Sequence, residues 1–148
     1  MIHSPRTRNS PVPKQKTIKD GDKVLAILDS INNIQPGLHF LGGRQDFLQI
    51  GQFKYDSGHV MRDHVHIDRK RTSERTQEIL IVFKGSCQVR ISDLNDKVAH
   101  VDTLFAGDYA VYFSGGIGFT VLEDNTIMME VKNGPYDVGS DDEDRRLI

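Results

Sequence analysis

A single cysteine, Cys87, excludes an internal disulfide and any cysteine-rich zinc site in this chain of 148 residues. Tryptophan is absent, and no apolar run approaches the length of a membrane-spanning helix. A dominant charge is lacking too: 19 basic side chains against 21 acidic ones leave a formal charge of −2. That balance gives no general attraction to nucleic acid or to an anionic bilayer. No charged-then-apolar leader is visible, so a cytoplasmic location is the expectation. Phosphate loops, dinucleotide fingerprints, GxSxG and CxxC are all missing, which removes the common nucleotide cradles and hydrolase elbows.

What is present suffices for one domain with a useful core, read as residues 17–136. Residues 1–16 hold Arg6, Arg8, Lys14 and Lys16, no acid and three prolines, the composition of a flexible basic tail. Residues 137–148 form an acidic extension whose end, Arg145 to Ile148, can dock back on the body.

Turn residues punctuate the chain between these ends. Asp22 to Ile34 fits either an amphipathic helix or a short buried strand, with the strand preferred because all that follows is strand-like. Leu38 to Leu41 and Phe47 to Tyr55, parted by Gly42-Gly43, predict a hairpin. Further strands are predicted near 60–66, 78–84, 86–92, 97–103, 109–113, 118–122 and 126–132. Short strands at a spacing of roughly ten residues, with no convincing helix between them, predict an antiparallel sandwich or barrel. Cys87, Met128 and Met129 read as core residues.

One stretch carries chemistry. Gly58 is followed after five residues by His64 and then His66, and Glu78 is followed after six residues by Gly85. On a strand, His64 and His66 share one face, and a neighbouring strand can bring Glu78 to them. Two imidazoles and a carboxylate suit a divalent metal; a polar cluster satisfied by hydrogen bonds or water is the plainer alternative. Glu74 competes for the carboxylate role, but it lies in a polar loop.

This pattern resembles the first motif of the cupin superfamily, and Gly107-Asp108 with Ser114-Gly115-Gly116 is similar to the second; together they cover about residues 45–132. The resemblance implies a double-stranded β-helix, the jelly-roll barrel, with a metal such as iron, manganese, zinc or nickel inside it. It also implies metal ligands at His64, His66 and Glu78, and a homodimer.

The chain departs from the family in two places. The loop from His66 to Glu78 is longer than usual, and Ile117 or Gly118 stands where a third histidine is expected. Three ligands still make a facial site with open positions; His39, His59 and His100 are conceivable replacements, none recommended by spacing. Arg71 in the basic loop, Arg90 and Tyr112 are candidate substrate contacts, and each serves as readily in packing or on the surface. Basic residues at a barrel mouth would favour an anionic ligand.

Two functions follow. One is a metal-dependent enzyme, an isomerase, epimerase or oxygenase acting on a small polar molecule of the sugar or carboxylate type. The other is a non-catalytic ligand-binding or sensor module that has lost its metal.

Overall fold

Runs of valine, isoleucine, leucine and tyrosine, cut by glycine and asparagine, form ten strands among the residues that the computed structural model describes, namely 7, 9–134 and 146–148. In chain order these are β1 (Lys16–Asp20), β2 (Lys23–Ser30), β3 (Gly37–Leu41), β4 (Ile50–Lys54) and β5 (Glu78–Lys84). There follow β6 (Ser86–Ser92), β7 (Val98–Phe105), β8 (Asp108–Tyr112), β9 (Gly116–Val121) and β10 (Ile127–Lys132). A short 3-10 turn, Ile31–Asn33, follows β2, and no α-helix occurs among the described residues.

All pairing is antiparallel. One sheet has the order β1-β2-β8-β5-β10, a second β7-β6-β9, and β3-β4 is a hairpin. Ala26, Leu28, Leu80, Val82, Ala110 and Tyr112 project from the larger sheet into a core shared with Cys87, Val89 and Ile91 of β6 and Leu104 of β7. The opposite face of β2, β5 and β8 carries Ile27, Ile79, Tyr109 and Val111, and the hairpin closes over it with Leu41 and Ile50. β8 is thus buried at every position. Val82, Val89 and Ile91 are wholly buried; each such side chain contributes about 1.5–3 kcal/mol relative to an exposed one.

Glycines stand where the chain crosses between sheets, and at two of these crossings no side chain fits. Gly85, at φ +78°, joins β5 to β6, and Gly115, at φ +80°, leads from β8 into β9. A Cβ on the first would collide with Thr126, and on the second with the Ser92 carbonyl, so both turns require the missing side chain.

The all-β antiparallel class is observed, and β5 and β6 occupy the predicted spans. Lys16 opens β1 instead of ending a tail, and its ammonium hydrogen-bonds Asp102. Met128 packs against the core, but Met129 faces outward and is exposed, because alternate residues of a strand take opposite faces. Of the predicted tails, residues 1–6, 8 and 137–145 lie outside the described residues.

The predicted strand at 60–66 is not formed: residues 55–77 contain none. An alternating pattern becomes a strand only where a neighbour completes its amides and carbonyls, and this segment stands off the body, exposed at every residue from 53 to 76. In consequence the strands do not close into a barrel. The two larger sheets face each other, with β9 and β10 as free edges.

Candidate functional site: a trough between two sheets

Where the sheets part, inner side chains of β5, β8 and β10 make a floor and β9 makes a wall. The cavity between them holds about 620 Å³, room for a small molecule.

Register sets the floor. Glu78 opens β5 directly opposite Tyr112 of β8 on one side and Lys132 of β10 on the other, so the three lie in one cross-strand row. Glu130, two residues before Lys132 and therefore on the same face, approaches its ammonium to 3.6 Å. The wall is hydrocarbon. Ile117 and Phe119 pair with the fully buried Ile91 and Val89, which places them on the inner face. They remain 43% and 48% exposed because β9 is an edge strand.

Burial pushes the Tyr112 phenol well above its ordinary range, and the neighbouring Cys87 and Glu78 add to the effect. Its hydroxyl is therefore a neutral group at any physiological pH. Burial likewise raises the Cys87 thiol to about 11, so it is an inert core residue and no nucleophile.

The chain end closes one side of the trough. Arg146 donates to both carboxylate oxygens of Asp96, at 2.9 and 2.7 Å, and Ile148 lies against Gly116. Asp93 and Asp96 join Glu78 and Glu130 among the lining acids, against the cations Lys132 and Arg146.

No family model, curated protein or solved structure matches the chain. The trough's own geometry carries its chemistry.

That geometry divides the expected ligand set. Glu78 is on the floor, whereas His64 and His66 sit on the exposed arm, their rings edge-on with centroids 5.2 Å apart. A ring nitrogen of His64 lies 3.1 Å from the Arg62 carbonyl. Among the described residues no three His, Cys, Asp or Glu side chains are grouped to hold an ion. Among the described residues His64 and His66 are thus not grouped with Glu78.

The remaining candidates separate likewise. Tyr112 lines the trough, and so does Ile117 at the place of the expected histidine. Arg90 does not: it alternates with the buried Val89 and Ile91, so it lies on the outer face, donating to the Thr120 hydroxyl at 3.1 Å. Arg71 and Glu74 are exposed on the arm, away from the cavity. His39 contacts the Pro36 carbonyl at 2.9 Å, His59 stacks on Tyr55 at 3.7 Å between centroids, and His100 lies 3.5 Å from Asp102. None of the three enters the trough.

Lys132, Glu130, Phe119 and Arg146 are among the trough residues that the sequence did not single out as ligand contacts. The spacing of two between Glu130 and Lys132, and between Ile117 and Phe119, was the available signal. No helix among the described residues is long and apolar enough to cross a membrane.

Proposed function

We propose that the protein binds a small, hydroxyl-rich polar molecule of the sugar type in the trough, as a ligand-binding module. The row Tyr112, Glu78, Lys132 opposite the hydrocarbon wall Ile117 and Phe119 supports this reading. Neighbouring strands set such groups about 4.8 Å apart, a spacing that suits alternate hydroxyls along a ring edge. A phenol, a carboxylate and an ammonium supply donors and acceptors, while Phe119 meets the C–H face. Four lining carboxylates against two cations disfavour a strongly anionic ligand.

Thermal denaturation in the presence of monosaccharides, polyols and small carboxylates tests this. A ligand at a hundred times its Kd stabilises by about 2.7 kcal/mol, a rise of roughly 5–10 °C for a chain of this size. We expect sugar-type compounds to produce it in the parent and not in Glu78→Gln. A variant that responds as the parent does overturns the assignment.

The paired rings of His64 and His66, close enough for both to reach one ion, favour a second reading in which they bind a divalent metal with Glu78 once the arm meets the trough. Elemental analysis should then find metal in the parent and lose it in His64→Ala/His66→Ala. Metal-free parent protein from metal-supplemented buffer contradicts it. Ile117→His, which adds a donor to the trough wall, should raise the affinity.

A further inference from the structure

We infer that residues 58–67 pair as a strand with the free edge of β9 in a second copy of the chain, the two copies exchanging arms so that each trough gains a wall from its partner.

The first observation is the arm itself. Every residue from 53 to 76 is exposed, and among them Val60, Met61, Val65 and Ile67 are 78%, 53%, 89% and 83% exposed. A solvated loop does not need those four side chains. Between His59 and Gln77 there is neither proline nor glycine, and His64 and His66 alternate with Val65 and Ile67. The backbone can therefore enter a sheet without strain.

The second observation is the vacant edge. Among the described residues β9 pairs with β6 on one side only, Ile148 touching just its first residue, Gly116, and its inner row Ile117, Phe119 and Val121 is 43%, 48% and 49% exposed. A bare edge beside exposed apolar side chains is a template for another strand. Ten arm residues span about 33 Å in extended form, more than the roughly 20 Å of the six residues in β9.

The occupant follows from reciprocity. Each chain carries one unpaired arm and, of the two free edges beside the trough, β9 is the one whose inner row is apolar and exposed, whereas β10 presents Glu130 and Lys132 there; a twofold pair satisfies arm and edge in both copies and closes on itself. A different protein on β9 would leave the arm uncovered. The arm already stands away from its own body, so a second copy can take it without any rearrangement of the sheets. Exchange concerns the same trough as the proposed function, but it requires neither ligand nor metal.

Cross-linking of mixed variants tests it. Asp63→Cys places a thiol mid-arm and Thr120→Cys one on β9; the native Cys87 is buried and does not compete. In chelator and without ligand, a short bis-maleimide should join the two variants into a dimer only when they are mixed. Light scattering should give the mass of two chains for the parent. Arg62→Pro/Val65→Pro provides the second arm of the test: these positions have opposite parity, so one of the two amides faces β9. Two arms per dimer each lose a ladder bond, and the dissociation constant should rise at least about tenfold with the circular dichroism spectrum unchanged. A single-chain mass at all concentrations, a cross-link confined to one chain in the double-cysteine variant, or a dimer indifferent to the prolines overturns the inference. Because no small molecule is present, its failure is separate from failure of the ligand-binding reading.

Discussion

Glu78 stands directly opposite Tyr112 across the β5–β8 pair, and its charge adds to the burial that lifts the Tyr112 phenol above its ordinary range. Cys87 on the facing sheet is raised by burial as well, from 9.0 to about 11. Both groups hold their protons more tightly in the folded chain than in the unfolded one. Their contribution to stability is thus complete below the unfolded values and lost as pH rises through the folded ones. The contribution of these two groups to the denaturation midpoint should be flat from neutral pH to 9 and fall between 9 and 11. Cys87→Ala should flatten that decline, and an unchanged profile contradicts the burial of the thiol.

Tyr109 ties the hairpin to the larger sheet. Its buried hydroxyl donates to Asp29 at 3.1 Å and accepts from Gln52 of β4. Asp29 also accepts from the Ser30 amide and from Asn33, at 2.8 and 2.7 Å. Tyr109→Phe removes one partner of a buried carboxylate and should cost about 1.5–3 kcal/mol. Urea denaturation reads this directly, with the trough itself undisturbed.

Gly115 has no substitute at its crossing. Alanine there meets both a left-handed φ of +80° and the Ser92 carbonyl. Gly115→Ala should lose at least about 2 kcal/mol and lower the melting temperature by roughly 4–8 °C. A neutral effect would mean that β8 does not pass to β9 in this way.

The Arg146 clasp is a surface device. Its hydrogen bonds hold the Asp96 carboxyl below the usual range, so the contact persists above the ordinary carboxylate value and is lost as pH falls through the lowered one. In Asp96→Asn, the amides of Arg146 and Leu147 should exchange hydrogen faster, by about two- to fivefold, the scale of an exposed pair.

Strands that pair within the two larger sheets were legible in the sequence. β5 and β6 follow the predicted spans because Gly85 marks the crossing and because Leu80, Val82, Val89 and Ile91 find a common core. Cys87 falls in the core, where its alternation with Val89 and Ile91 placed it. Residues 60–66 show the limit: His64 and His66 alternate with Val65 as in a strand, but among the described residues no strand pairs with them. Local pattern specifies what a segment can pair with and not where the partner is. Arg90, by its alternation with the buried Val89 and Ile91, takes the outer face, the surface alternative that the sequence left open. The floor of the site depends on register between distant strands, Glu78 with Tyr112 and Lys132, which no local window contains.

Amide shift mapping by NMR, with a titrated panel of monosaccharides and small carboxylates, tests the trough most directly. Binding should perturb Glu78, Tyr112, Phe119 and Lys132 together, in saturable fashion and with sugar-type compounds leading. Perturbations centred on the β3–β4 hairpin, or none at millimolar concentration, would contradict the assignment of the trough as the binding site.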